Sequence, residues 1–535
     1  MPGMLGETAT DRIDMAHLPT QAAALITRLQ QQVKAQAREI AWAHAKLEKV
    51  NFELARLKRW KFGAKTEAMT TEQRALFQDT RAEDEASLKA RLATLQDSLP
   101  ETPRTKTPLR RPRRQALPEH LERVEHRHEP QDTTCQNPGC GRPLHRIGED
   151  VSEKLDIVPA KFFVHRHIYG KWACRCCQQI RQEPAEPDVV DGGIPASGLV
   201  AHTLISRFVD HLPYYRQEAI NARSGVHTPR STLAAWSGRG GAALEPLYDA
   251  HKRFVLSARV LHADETPVAL LDPGRGKTKK AYVWAYARGA FDPVPGVIYD
   301  FCEGRGAQFP IAFLGTAQGA QDERSWRGTL VRDEYKAYDS VMSAEPGRTA
   351  AGCLAHARRK FDELLLDSGK SAVAEEALRR IAEIYRLERE LSTLASDERL
   401  SRRRSDAKPL WTDLHDWLRL ERGRVPDGSA TAKALNYSLS HWEALTHNLL
   451  DGDVNVDNNS LENLIRPWAV GRRAWLFAGS ALAGQRAAIV MSLVQSAKLQ
   501  GHDPWAYLHD VLTRLPTQLN SRIDELLPHR WTLKA

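Results

Sequence analysis

The 535-residue chain has no apolar run approaching the roughly 18 residues that a membrane helix needs. Its first residues, MPGMLGETATDRID, are acidic and polar where a secretory signal is basic and then apolar. Both absences point to a cytoplasmic protein without a membrane partner. Cysteine is scarce and unevenly placed: of seven, five fall between Cys135 and Cys177. That is no disulfide framework, and in a reducing compartment such a cluster suggests a metal. Acid is short against base, 67 Asp and Glu to 76 Lys and Arg, and the net charge of +9 favours an acidic polymer, nucleic acid before membrane, as partner. What is present, 42% hydrophobic residues over a length too great for one core, describes a folded multidomain protein.

Gly and Pro are also missing from 21 to 57. There Ile26, Val33, Ile40, Leu47 and Leu54 recur at one heptad position, and Leu29, Ala43, Val50 and Leu57 at the other, with Gln36 the polar exception. So narrow a seam predicts a coiled coil, hence a homo-oligomer, in place of a helix lying on a globular core. The basic-aromatic run Lys58 to Gly63 reads as its C-terminal cap or as a DNA contact. A second helix is expected over 71–95. Pro100 to Pro118 then holds five Pro together with Arg104, Lys106, Arg110, Arg111, Arg113 and Arg114, an extended linker that is either simply solvated or tracks phosphates.

The cysteines come next. Cys135 and Cys140 form a C-x4-C knuckle with Asn, Pro and Gly inside, and Cys174-Arg-Cys176-Cys177 supplies a C-x2-C pair after the β-like stretch FFVHRHIYGKWAC. Two short-range thiolate pairs separated by a hairpin-sized insert suit a closed, structural tetrahedral Zn2+ site on Cys135, Cys140, Cys174 and Cys177. Cys176 is an alternative to Cys177, and His145, His165 and His167 are spare ligands nearby.

Past Gly192-Gly193 the pattern turns helical: 197–211, 214–222, and 228–236 with Thr228 as N-cap and Pro229 at the first position. The last two, joined at Gly225, have the outline of a helix-turn-helix in which Arg230, Ser231 and Thr232 would face base edges or phosphates, and equally that of a short helix pair in all-helical packing.

The stretch LHADETPV, 261–268, reads as a strand closed by Thr266-Pro267, with Asp264 at its end. An Asp before Thr-Pro is also a turn former, so Asp264 needs company. GTLVRDEYKAYDSV (328–341) repeats the setting, with Asp333 after the strand Thr329-Leu330-Val331. Three strands, a helix and a fourth strand is the order of an RNase H-like sheet, in which two central strands bring carboxylates side by side for Mg2+ or Mn2+. A further strand, TAAGCL, precedes a helix opened by His356, Arg358 and Arg359, basic groups suited to a phosphodiester. After a charged helical lobe the third acid, Glu462, follows the capping cluster Asp457 to Ser460. Asn458, Glu462 and Arg466 share a helix face if the helix runs through Pro467, although proline disfavours α geometry at Arg466. Glu265 alternates to the opposite face from Asp264.

These residues carry a resemblance. DVSEKLDIVPAKFFVHRHIYGKWACRCC, FVDHLPYYRQEAINARSGVHTPRSTLAAW, LHADETPV, GCLAHARRKF, VDNNSLENLIRPWAVGRRAWLFAGS and SAKLQGHDPWAYLHDVL together resemble the IS66-family transposases of bacterial insertion sequences, over nearly the whole chain. The resemblance implies a multidomain α+β protein: coiled coil, zinc-binding β module, helix-turn-helix, and an RNase H-like catalytic domain with a helical insertion. Its DDE triad falls on Asp264, Asp333 and Glu462. The expected boundaries are 1–98 helical region, 99–120 linker, 121–190 zinc module, 191–250 helix-turn-helix, 251–367 catalytic core, 368–450 insertion, 451–480 Glu-bearing helix and 481–535 helical C-terminal region. The expected function is binding of terminal inverted repeats, followed by metal-dependent cleavage and strand transfer into target DNA. Small accessory proteins of the same element are implied as further partners. The chain departs from the family pattern in its C-x4-C knuckle, where C-x2-C is common, in Glu265 where many relatives carry Asp, and in Glu334 where they tend to carry Gly. Two rival readings remain open: a DNA-binding regulator without nuclease action, and a structure-selective RNase H-like nuclease.

Overall fold

The structure is a computed structural model. It describes residues 117–533, apart from 118, 120, 136, 138, 159–160, 191, 273–274, 276, 317–324 and 369–370, and nine positions between 28 and 46. Most of the expected coiled coil, the run Lys58 to Gly63, the helix over 71–95 and nearly all of the linker lie outside the described residues. The described seam positions Leu29, Val33, Gln36, Ile40 and Ala43 are helical and exposed. The chain divides into two compact units: the described part of Met1–Leu244 with Leu271–Thr278 and Leu508–Gln518, and Glu245–Leu270 with Lys279–Tyr507 and Leu519–Ala535. Among the described residues no helix is long and apolar enough to cross a membrane.

The first unit is built on a long hairpin. Strand β1 (Arg123–His128) pairs parallel with β3 (Lys161–Ala173), which pairs antiparallel with β2 (His145–Val158) and, at its end, with β4 (Ile180–Gln182). The β1/β3 register sets His126 opposite His167 and Val124 opposite His165, which stacks four imidazoles along one face. His126 Nε2 lies 2.8 Å from His165 Nδ1, His128 Nε2 lies 3.0 Å from His167 Nδ1, and the far side of His165 meets buried Asp156 at 2.6 Å.

Helices α1 (Ser197–Phe208), α2 (Tyr214–Arg223) and α3 (Arg230–Ala243) follow. The turn between α2 and α3 requires Gly225, whose φ is +75°. Pro229, not Thr228, is the N-cap residue, and Thr228 is buried. The third helix also outruns its expected end at Trp236, because its glycines let α1 approach. A Cβ on Gly240 would stand 3.0 Å from Val200 and 3.2 Å from Leu204.

The second unit is organised by a five-stranded sheet of order β7-β6-β5-β8-β9, with β5 Val260–Asp272, β6 Lys277–Arg288, β7 Val297–Cys302, β8 Gly328–Arg332 and β9 Arg348–Gly352. β6 and β7 are antiparallel; β5, β8 and β9 run parallel. One face carries Leu261, Ala263 and Leu330 into a core with α4 (Glu245–Leu256), α5 (Gln308–Leu314) and α6 (Ala337–Ser343). The other face presents Val260, Val331 and Ala351 to Val454.

Pro267 does not close β5 as expected. The partner β8 pairs only with Val260, Leu261 and His262, and on β5 the bridge to Ala478 comes only at Leu270, so at Pro267 a missing N–H costs no ladder bond. Helix α7 (Leu354–Ser368) leads into a lobe of α8 (Ala372–Leu391), α9 (Lys408–Arg422) and α10 (Ala430–Ser440) packed around Trp411. Within it, Arg403 is fully buried, paired with Glu388 at 2.6 Å, and donates to the carbonyls of Asn448, Asp451, Gly452 and Val454. That clamps the segment leading into α11 (Asn459–Trp475). Helix α12 (Ala481–Leu499) covers the sheet edge, since Ser492 and Ser496 accept the N–H groups of Tyr299 and Val297 at 2.8 and 3.0 Å.

Candidate metal and active sites

The β2/β3 register explains how two distant cysteine pairs meet. His145 pairs with Ala173, so the first knuckle, just before β2, lies beside the second, just after β3. The Sγ atoms of Cys135, Cys140, Cys174 and Cys177 all lie within 4.8 Å of one another. Left-handed Gly139 (φ +87°) and Gly141 (φ +55°) shape the first knuckle. Backbone N–H groups of Cys177 and Cys176 hold the Cys174 thiol below its ordinary range, readying it as a thiolate. Cys176 is exposed and outside the group, so Cys177 is the fourth sulfur of the cluster. His165 and His167 turn to the imidazole ladder, not to the sulfurs. Four thiols in one small cluster fit tetrahedral Zn2+ with no open position.

In the second unit β5 and β8 pair as far as His262 and Val331, two residues short of Asp264 and Asp333. Asp264 lies on the face of β5 that carries Val260, and Asp333 directly follows the last residue of β8. Burial first, and then the charges of Glu265, Asp333 and Glu462, push the Asp264 carboxyl up to about 8. Glu265 alternates to the other face, fully buried, accepting from Arg305 Nε at 2.6 Å and from the Tyr338 hydroxyl at 3.0 Å. The Arg305 guanidinium in turn lies 3.6 Å over the Tyr335 ring.

Glu462 stands in the first turn of α11, which runs on through Pro467. Its Oε2 lies 3.5 Å from Arg359 and its Oε1 3.9 Å from His356 Nδ1. With Cys353 just before α7, His356 and Glu462 bring their ligand atoms within 4.8 Å of one another; among the described residues Asp264, Asp333 and Glu462 make no group that tight. Burial and the neighbouring Arg359 hold the His356 imidazole below its ordinary range. Burial pushes the Cys353 thiol up to about 12.

The residues expected on DNA divide. Ser231, Arg358, Arg359 and Arg466 are exposed, while Arg230, Thr232 and His356 are partly covered. Asn458 is fully buried. Its amide donates to the Ala263 carbonyl at 2.9 Å, and its oxygen accepts from His262 Nδ1 at 2.8 Å. It therefore ties α11 to β5 and does not reach a DNA backbone. Sequence reasoning missed His262 and Arg305, which carry no motif of their own. It also missed Cys353 beside His356, although their C-x2-H spacing, about one helical turn, was a usable signal.

Comparison with known proteins gives this geometry a family. The model described as "Transposase IS66 family" matches residues 192–486, more than half of the chain. The zinc-finger binding domain of transposase IS66 matches 132–178, which includes the four clustered cysteines. The IS66 C-terminal element matches 492–529, and a model described as "Transposase C of IS166 homeodomain" matches 50–125. Among similar proteins, the uncharacterized protein y4jD of Sinorhizobium fredii is 37% identical over 431 residues, 78% of this chain and 81% of the relative. The uncharacterized protein y4qI of the same organism is 37% identical over 440 residues, 80% of this chain and 79% of the relative. On these matches the chain belongs to the IS66 family of transposases and carries that family's zinc module.

Proposed function

We propose that this transposase binds the terminal inverted repeats of an insertion sequence and cleaves and transfers DNA strands through a DDE triad of Asp264, Asp333 and Glu462. The observation that carries the reading is the buried Asp264 carboxyl, which follows the paired stretch of β5 and β8 and feels the charges of Asp333 and Glu462. The strand order, with β5 central, β6 and β7 antiparallel and β8 and β9 parallel, supports an RNase H-like core. Hard carboxylate oxygens fit Mg2+ or Mn2+, which when bound at Asp264, Asp333 and Glu462 would supply Lewis-acid activation of water or a DNA 3′-OH and stabilisation of the leaving oxygen. The chain's own part is positional. Asn458 and His262 fix the start of α11 against β5, Glu265 anchors Arg305 beside the acids, and exposed Arg359 and Arg466 offer cations to the phosphate backbone. Arg230, Ser231 and Thr232 at the start of α3 are proposed to read or grip the repeat, and the exposed apolar seam at Leu29, Val33 and Ile40 supports pairing of two copies at two DNA ends.

The test is cleavage and strand transfer of labelled end DNA in Mg2+ or Mn2+, with Asp264→Asn, Asp333→Asn and Glu462→Gln compared with wild type. Binding of the repeats without cleavage by wild type would instead favour a DNA-binding regulator. Cleavage without strand transfer would favour a structure-selective nuclease.

A further inference from the structure

We propose that Cys353, His356 and Glu462 form a second metal site, selective for a thiophilic transition-metal ion such as Zn2+, and that its occupation withdraws Glu462 from Asp264 and Asp333. The consequence for Glu462 rests on the triad proposed above; the binding itself does not.

Three observations carry it. The three ligand atoms lie within 4.8 Å of one another. Zinc–sulfur and zinc–nitrogen or zinc–oxygen bonds of ordinary length separate tetrahedral ligands by roughly 3.3–3.6 Å, so closing the site takes side-chain rotation of about an ångström. Second, His356 Nδ1 and Glu462 Oε1 face each other at 3.9 Å, and both are buried without a hydrogen-bond partner. Buried polar atoms are nearly always satisfied, and two orphans aimed at each other beside a thiol mark a place for a cation. Third, the frame is rigid. Cys353 Sγ accepts the Asn458 N–H at 3.2 Å and the Leu354 N–H bonds to Val456 O at 3.0 Å, which ties the start of α7 to the start of α11.

The donor set decides the ion. Sulfur, imidazole nitrogen and one carboxylate oxygen favour Zn2+, Co2+ or Cd2+ over Mg2+. Three protein ligands leave a fourth position to water, unlike the closed four-cysteine site. As the sulfur–metal bond forms, the Cys353 proton leaves to solvent. Glu462 cannot serve this ion and the two aspartates with the same oxygen geometry, so a thiophilic ion here opposes Mg2+-dependent cleavage.

The experiment uses the full chain with its four-cysteine site already loaded with zinc, titrated with Co2+ and followed by thiolate-to-cobalt charge-transfer absorption and metal stoichiometry. One further equivalent with a single-thiolate band is expected. Cys353→Ser should abolish the band, His356→Gln should weaken binding by about tenfold or more, and Cys176→Ser should leave both unchanged. No uptake beyond the first site, or a band that survives Cys353→Ser in a protein whose thermal unfolding is intact, overturns the site; His356→Gln decides if Cys353→Ser fails to fold. In the cleavage assay, a few equivalents of Zn2+ should slow wild type by about tenfold relative to its own zinc-free rate and slow Cys353→Ser far less. Binding without inhibition, or stimulation, overturns the effect on Glu462. A wild type that never cleaves contradicts the triad while leaving the cobalt result to stand by itself.

Discussion

The zinc module and the acid cluster both crowd metal-binding groups together, and they differ in who completes them. Around the four sulfurs the chain supplies a hairpin register that joins the knuckles, glycines for their turns, and backbone N–H groups that favour the thiolate at Cys174, while Cys177 pushes the Cys135 thiol up to about 12. Around Asp264 no such donors outweigh the crowding. Burial and three further carboxylates drive the Asp264 carboxyl up to about 8. The first arrangement is finished by one ion and becomes part of the fold. The second stays unfavourable while Asp264 is charged, which is the setting that the proposed Mg2+ or Mn2+ would relieve.

The sharpest way to break this comparison is to remove each site's ligands. Stripping zinc with a strong chelator, or Cys174→Ser, should unfold the 121–190 region, since structural zinc contributes on the order of 10 kcal/mol to small modules. Limited proteolysis and zinc stoichiometry would record it, with Cys176→Ser as the silent control. A zinc module that stays protease-resistant after complete chelation would place its stability in the hairpin and the imidazole ladder instead.

Asp264 should behave in the reverse sense. Its folded-state pKa is raised from the ordinary 3.8 to about 8, so the stability attached to its neutral form is whole below about pH 4 and is lost as pH climbs through 8. In metal-free protein Asp264→Asn should therefore raise Tm at pH 8, roughly 2–4 °C for each kcal/mol recovered, and the gain should vanish at pH 4. Mg2+ should stabilise wild type more at pH 8 than at pH 6, with proton release measurable by calorimetry in two buffers. An Asp264→Asn protein less stable than wild type at pH 8 would show that the carboxylate is already compensated.

A smaller effect separates the two faces of β5. Glu265 is fully buried and Arg305 partly exposed, so Arg305→Gln should cost roughly 1–3 kcal/mol by leaving a carboxylate short of partners. Glu265→Gln in the same protein should restore most of it, a coupling that urea unfolding of the four proteins would measure. Additive losses would mean that the pair does not hold the acid cluster's edge.

Much of this architecture was legible because alternation and spacing are local. The opposite faces of Asp264 and Glu265 follow from period-two patterning, and the cysteine module from two short spacings and a hairpin between them. What escaped depends on neighbours distant in sequence. Pro267 read as the end of β5, yet it is tolerated because β8 stops pairing at His262. Asn458 read as a DNA ligand on a helix face, yet His262 and the Ala263 carbonyl, nearly two hundred residues earlier, turn it inward. Thr228 read as an N-cap, yet it is buried and the helix begins one residue later, with Pro229 at its N-cap.

The most direct measurement is end cleavage and strand transfer by wild type and by the three acid variants, each with its Tm recorded. The account predicts Mg2+- or Mn2+-dependent activity that falls by about a thousandfold or more in Asp264→Asn, Asp333→Asn and Glu462→Gln, while all three remain folded. Undiminished cleavage by a folded Asp264→Asn protein would contradict it.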